Sequence, residues 1–457
     1  MTLIVASTAG DKKQLSALQN LFAFATVEER ERLIAEEDLP LVYVIQETTI
    51  LDPEKPLQKK AFPVLLQEGA ESENWPHTVF SVRAAAYQHK RYAFAFSRIG
   101  ADVIEIDGID DAEQLAVRHM RQFPFERRQR KKSTRGEIEI QERGGDLEVC
   151  VATYYDLANE PAIQTSARDN RQYVNGQLFR AQLGWDDNRT LEQTATQTHG
   201  VIAATRNVSG RDERMFIGNT NLGSRTFVEQ RSGASIRTES SALQETVIGF
   251  DRYVAAAIGG SYFGYTDNRA FFHLHLRNEQ GTPRYPYLGK TPAYGTLDLR
   301  LASTRLPLPA TSLIFVEGYK EKDESGRSTG QAKDYVILGL QNSQGRLLVF
   351  EIDPELKEQR TIEKIKRDGE GTIVLAPPYL TKRSMFYTPN DAHEGMEDRS
   401  VRNLKTLPIG DRQYVYYSVG KKIVAVELDD ILKNRAERVM TIAELKHDIV
   451  SMDIMRT

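Results

Sequence analysis

Three stretches of this chain repeat one pattern, and that pattern restricts the fold more than any other feature. Tyr92-Ala93-Phe94-Ala95-Phe96 is followed by Gly100 and then by Ile104-Glu105-Ile106-Asp107. Tyr335-Val336-Ile337-Leu338 is followed by Gly345 and then by Phe350-Glu351-Ile352-Asp353. Tyr414-Val415-Tyr416-Tyr417 is followed by Gly420 and then by Val426-Glu427-Leu428-Asp429. Tyr precedes the closing Asp by 15, 18 and 15 residues. Each stretch reads as an antiparallel hairpin. An apolar strand buried on both faces turns at a Gly or Asn and returns as a half-exposed strand, its acids on the outer face. A charged, helix-like stretch follows each copy. Residues 215–228 and 253–276 are weaker copies. A hairpin of this kind cannot bury its apolar face alone, so several must stack radially around a shared core.

The rest of the chain agrees. Short runs of Val, Ile, Tyr, Phe and Thr at 41–45, 78–82, 148–154, 270–276, 312–316, 372–375 and elsewhere alternate with Gly, Asn, Asp and Pro. Such spacing predicts an all-β fold. Long helical patterns do not separate these runs, which disfavours a parallel βαβ sheet. The exception lies at the start. Leu15, Leu18, Phe22 and Leu33 recur at helical spacing and predict one or two amphipathic helices. We therefore expect a helical segment over residues 1–39 and one large β domain over 40–457. Leu18, Phe22 and Leu33 are expected to pack on that domain; the alternative is a partner-binding helix.

The segment His77-Thr78-Val79-Phe80-Ser81-Val82, leading to residues 92–96 and 103–107, resembles a blade of a WD-repeat β-propeller. The likeness lies in a His before an apolar strand, a second apolar strand, a tight turn and a third strand ending in Asp. His199-Gly200-Val201-Ile202 and His447-Asp448-Ile449-Val450 resemble the same blade opening. The copy at 447 stops after one strand, which in that family completes a blade begun elsewhere. The Trp-Asp dipeptide occurs once, at Trp185-Asp186, and the full Gly-His signature is absent. The resemblance implies a degenerate propeller of about seven blades.

With 457 residues, 40% hydrophobic and 27% charged, the chain can bury a large core. The net charge of −4 argues against a protein that binds nucleic acid over its whole surface. The single cysteine, Cys150, excludes an internal disulfide and any site with two Cys ligands, and fits a reducing compartment. The N-terminus reads as a poor secretory signal, and no apolar run is long enough to span a bilayer. We expect a cytoplasmic protein, or a nuclear one in a eukaryote.

Sequence motifs for chemistry are sparse. Arg127, Arg128, Arg130, Lys131, Lys132 and Arg135 put six basic residues into nine positions between two strand regions. This run is a candidate dock for an acidic partner. Nucleic-acid binding through it is not favoured, because only Phe123 and Phe125 lie close enough to stack on bases. Tyr285 and Tyr287, on either side of Pro286, form a second candidate contact. His273 and His275 share a strand face, but the local sequence offers no third metal ligand. The acidic run 391–398 lacks EF-hand spacing. Gly259 and Gly260 lack the following helix of a dinucleotide site. Residues 321–331 read as a polar loop between strands.

These readings lead to a non-catalytic scaffold that docks a protein partner within an assembly, with no catalytic residue, metal or cofactor assigned. Two alternatives stand beside it. One is a metal-dependent hydrolase or lyase with its site in the propeller channel. The other is a structural subunit of a large particle.

Overall fold

A computed structural model describes residues 1–50, 57–66, 74–87, 89–108, 115–125, 135–143, 146–156, 174–183, 192–199, 201–208, 211–220, 223–230, 253–258, 261–267, 270–276, 302–323, 326–341, 345–353, 366–367, 373–374, 380–389 and 399–456. Its first sheet holds β1 (Thr2–Thr8), β2 (Val42–Glu47) and β3 (Gln58–Phe62). The second holds β4 (Val79–Tyr87), β5 (Lys90–Ser97), β6 (Gly100–Asp107) and β7 (Ala116–Pro124). The third holds β8 (Arg135–Arg143), β9 (Asp146–Asp156), β10 (Val174–Leu183) and β11 (Glu192–His199). A three-stranded sheet of β12 (Val201–Val208), β13 (Arg211–Thr220) and β14 (Gly223–Gln230) follows. The fifth holds β15 (Tyr253–Ile258), β16 (Tyr262–Asp267), β17 (Phe271–Leu276) and β18 (Ala302–Arg305).

The sixth sheet is built from β19 (Ala310–Tyr319), β20 (Lys333–Leu340), β21 (Arg346–Ile352) and, after a small ribbon of β22 (Lys366–Arg367) and β23 (Ile373–Val374), β24 (Leu380–Tyr387). The seventh holds β25 (Val401–Ile409), β26 (Arg412–Val419), β27 (Lys422–Glu427) and β28 (Met440–Glu444). The last strand, β29 (Ile449–Arg456), pairs antiparallel with β1 and completes the first sheet in the order β29-β1-β2-β3. The copy at His447 thus finishes a sheet begun at Thr2, as its resemblance implied.

All strand pairings are antiparallel among the described residues. The leading strands touch in succession: β29 with β4, then β8, β12, β15, β19, β25, and again β29. The apolar clusters lie between consecutive sheets. Leu3, Val5, Val44, Ala93 and Ile104 fill the gap between the first and second. Tyr335, Ile337, Val415 and Tyr417 fill the gap between the sixth and seventh. Every apolar residue of β20 and β26 is buried because successive side chains enter opposite gaps, Tyr335 into one and Val336 into the other. This arrangement of antiparallel sheets is that of an all-β protein and is consistent with a propeller.

The three repeated stretches are hairpins β5–β6, β20–β21 and β26–β27, the second and third strands of their sheets. Several expectations differ in detail. The first 39 residues contain α1 (Leu15–Phe24) and α2 (Val27–Ala35), but they begin with a strand. Thr2–Thr8 is buried throughout because it lies between β2 and β29, and so the helices are an insertion within a sheet. The acids of the return strands are not all on an outer face. Glu105 is buried, compensated by Lys90 at 2.8 Å and Arg118 at 3.1 Å. Of the helix-like stretches after the repeats, the described residues include one helix, α3 (Leu428–Leu432), so Leu428 opens a helix rather than ending a strand. Residues 253–276 span the first three strands of their sheet, which makes Tyr262, not Tyr253, the counterpart of Tyr335.

Candidate protein interface

Between β1 and β2 the chain leaves the sheet as a helical hairpin. Thr26 separates the helices. It caps α2 by accepting the Glu29 amide at 3.3 Å, while the Glu29 carboxylate accepts the Thr26 amide at 2.8 Å. Arg30 reaches back to the end of α1, donating to the carbonyls of Phe22 and Ala23 at 3.0 Å each. Its guanidinium also stacks 5.2 Å above the Phe22 ring. These contacts hold the junction in one shape.

The hairpin is fixed to the sheets from below. Phe22 and Leu33 are buried, with Leu18 and Ile34 beside them, against Leu41, Tyr43, Leu445 and Ile449. Gln19 donates to the Pro76 carbonyl at 2.6 Å. Lys446 bonds both the Glu36 carbonyl, at 2.7 Å, and Asp38, at 2.8 Å, and His447 lies 3.0 Å from Asp38. The bond from Lys446 holds the Asp38 carboxyl below its ordinary range, with His447 adding to the effect against a smaller burial penalty. The expectation that Leu18, Phe22 and Leu33 pack within the chain holds.

A second apolar set faces away. Leu21 is 54% exposed, Phe24 92% and Val27 68%; among the described residues Tyr387 alone joins them as a large exposed apolar side chain. One exposed Leu means little. Three at one rigid junction are different, since burying each is worth about 1.5–3 kcal/mol. The surroundings are acidic. Residues 27–38 contain six acids and two arginines, and Glu28 and Glu31 are exposed. This surface can accept an apolar anchor flanked by basic residues. A sequence signal existed: seven of the ten residues of α1 are apolar, more than one buried stripe uses.

The residues singled out from sequence fare differently. Arg127, Arg128, Arg130, Lys131, Lys132, Tyr285 and Tyr287 lie outside the described residues, as do Trp185, Gly259, Gly260 and residues 391–398. Arg135 is the first residue of β8. His273 and His275 alternate along β17 with the buried Phe272 and Leu274, opposite Tyr265 and Phe263. The stretch 321–331 joins β19 to β20 and carries its own bridge between Lys322 and Ser328. Among the described residues no three His, Cys, Asp or Glu side chains gather as a metal site, and no helix is long and apolar enough to cross a membrane.

No family model matches the chain, and no curated protein does. Solved structures do. A Bacteroides uniformis protein assigned as a 6-phosphogluconolactonase aligns over 99% of both chains, at 9% identity and a TM-score of 0.47. Chaetomium thermophilum Sqt1, bound to the N-terminus of the ribosomal protein L10, aligns over 89% of this chain and 84% of its own, at 9% identity and a TM-score of 0.42.

Proposed function

We propose that the chain is a seven-bladed propeller acting as a cytoplasmic, non-catalytic scaffold, and that its helical hairpin docks a partner protein. The succession of leading strands from β29 through β25 and back supports the ring. The observation that carries the docking role is the apolar corner of Leu21, Phe24 and Val27, held outward on a hairpin whose other stripe is buried. The occupant is an amphipathic segment that places a large apolar side chain on the corner and Lys or Arg beside Glu28 and Glu31. The basic run 127–135 and the pair Tyr285 and Tyr287 are proposed as further contacts, for an acidic stretch of the same partner.

The test places a photo-cross-linking residue at position 24 of the full chain in native extract, with position 16 as control. The expected result is one dominant adduct, mapped to an apolar segment with basic flanks and abolished by Leu21→Asp. Adducts of equal yield from both positions, or an adduct on a segment without basic flanks, overturn the proposal. Replacing the six basic residues of 127–135 by Ser decides that run separately, because unchanged recovery of the partner removes it.

A further inference from the structure

The exposed corner is one end of a longer feature that runs the length of α1. Leu18 and Phe22, one turn apart, face the sheets. Ala17, Leu21 and Phe24 follow one another at helical spacing, and all three are exposed. They form one row along the outer side of α1. From Ala17 to Phe24 the row rises about 10 Å, at ~1.5 Å per residue.

The two ends of this row carry opposite charge. Lys12 and Lys13 are exposed in the turn that leads into α1. Asp11 beside them is half-buried, and its Oδ1 accepts the Lys13 amide at 2.9 Å. At the other end Val27 opens α2. Glu31 lies one turn further on the same face, with Glu28 beside it, and both acids are exposed. The other charges of α2 already answer other groups. Arg30 is turned back onto the Phe22 and Ala23 carbonyls, Glu29 accepts the Thr26 amide, and Arg32 lies 3.8 Å from Glu36.

We infer that the docked segment is an amphipathic α-helix lying along α1. Its apolar row covers Ala17, Leu21 and Phe24. It carries acids at the end beside Lys12 and Lys13, and bases at the end beside Glu28 and Glu31. The inference rests on the docking role proposed above and adds the shape of the occupant and the charge of its second end. The backbone argues for a helix. The amides and carbonyls of α1 are bonded within α1, so this face offers no backbone partner to an extended chain, whose own groups would be buried without bonds. A helix arrives with those bonds made. Ala17 lets its axis approach to about 8 Å, while Leu21 and Phe24 fill the grooves between its side chains. The charges fix which end lies where, since a segment basic throughout would bring like charge against Lys12 and Lys13.

The experiment titrates the full chain into four fluorescent synthetic peptides at low ionic strength and reads anisotropy. All four share one row of Leu at helical spacing. The first has two Glu before the row and two Lys after it. The second has Lys at both ends and the third has Glu at both ends. The fourth repeats the first with a central Pro that breaks the helix. The first should bind about fivefold tighter than the second or third, and the fourth should bind at least about tenfold weaker than the first. In a chain carrying Lys12→Glu and Lys13→Glu, the peptide with Lys at both ends should become the tightest. Phe24→Asp should abolish binding of all four. Equal binding of the first two peptides, or an order unchanged by the Lys12→Glu and Lys13→Glu chain, overturns the inference and leaves the corner as a dock. Equal binding of the Pro peptide overturns the helix in the same way. Binding that survives Phe24→Asp overturns the corner as well. If no peptide binds, the inference fails, and cross-linking at position 24 shows whether the corner fails with it.

Discussion

Tyr335 and Glu351 face each other across β20 and β21, and Tyr92 with Glu105 and Tyr414 with Glu427 occupy the same relation in their own sheets. Two residues before each Tyr is a base: Lys90, Lys333 or Arg412. Each base is paired to the Glu of its own hairpin, at 2.8, 3.3 and 3.2 Å. In two sheets the fourth strand adds a second cation, Arg118 to Glu105 and Arg383 to Glu351. The repeat read in the sequence is thus a cross-strand ladder of Tyr, Glu and base, placed once per hairpin.

Glu105 of this ladder, and Glu321, which accepts the Tyr335 hydroxyl at 2.7 Å, make the fold sensitive to acid, whereas burial raises the ladder's Glu427. The Glu105 and Glu321 carboxyls are held below their usual range by bonded cations or tyrosine, against the opposing penalty of burial. A carboxyl with a lowered folded value adds stability above its unfolded value of about 4, and the gain is lost as pH falls through the folded value. Thermal melts from pH 7 to pH 3 should show the midpoint falling steeply below pH ~4.5. Glu105→Gln should melt lower at pH 7, by about 1–2 kcal/mol, and its curve should be flatter in acid. A variant that keeps the slope of the native chain contradicts this account.

The hairpins were legible because Tyr and Glu are sequence-local markers of a cross-strand pair. The opening strand Thr2–Thr8 has strand composition in Ile4, Val5 and its Thr residues, but only the remote partners Val42–Glu47 and Ile449–Arg456 place it inside a sheet. Fourth strands such as Leu380–Tyr387 hide for another reason: they are half-exposed, and Leu-Thr-Lys-Arg-Ser-Met-Phe-Tyr alternates poorly. At the hairpin interface, Phe22 was readable as core from its spacing with Leu18. The outward turn of Phe24 depends on the Thr26 cap and on which stripe the sheets cover. The 2.9 Å contact of His119 with the buried Asp102 depends on a bulge between β6 and β7, which has no mark in a single sequence.

Tyr262 joins the fifth and sixth sheets. Its hydroxyl donates to Asp334 Oδ2 at 2.6 Å, and the other oxygen of Asp334 accepts the Gly318 amide at 2.8 Å. The ring is fully buried, and burial, then the Asp334 charge, drive the phenol far above its ordinary value. Tyr262→Phe keeps the packing and removes one donor to a carboxylate, at a cost of about 2 kcal/mol. Denaturant unfolding should show a lower midpoint at unchanged slope; a midpoint equal to the native one would show that the bond adds nothing.

Gly100 closes the turn between β5 and β6 with φ +138°, in the region that side chains avoid. A Cβ there would come 2.0 Å from the Phe123 carbonyl oxygen and 2.8 Å from the Pro124 Cα. Both are backbone atoms of β7, which cannot move without parting the sheet. Gly100→Ala combines this clash with backbone strain and should cost about 4 kcal/mol. Poor soluble yield or a melt lowered by more than 5 °C is the expected reading.

Asp453 on β29 ties three sheets together. Its Oδ1 pairs with Lys405 Nζ on β25 at 2.7 Å, and its Oδ2 accepts the Ala84 amide of β4 at 3.0 Å. Lys405, then Arg83, keep its carboxyl below the usual range against the burial that raises it. Two residues earlier on both strands the contact repeats, with Ser451 Oγ accepting the Val82 amide at 3.1 Å. Asp453→Ala strands Lys405 and one half-buried amide, and should cost about 3 kcal/mol. Asp453→Asn keeps an acceptor for Ala84 and loses the charge, so it should fall between Ala and the native chain. Hydrogen exchange distinguishes a local from a spread effect. If β29 holds the first sheet to its neighbours, the Ala variant should expose amides of β1, β4 and β25 together while those of β16 and β17 stay protected. Uniform loss of protection would instead assign Asp453 to global stability, and no loss at β25 would sever the joint altogether.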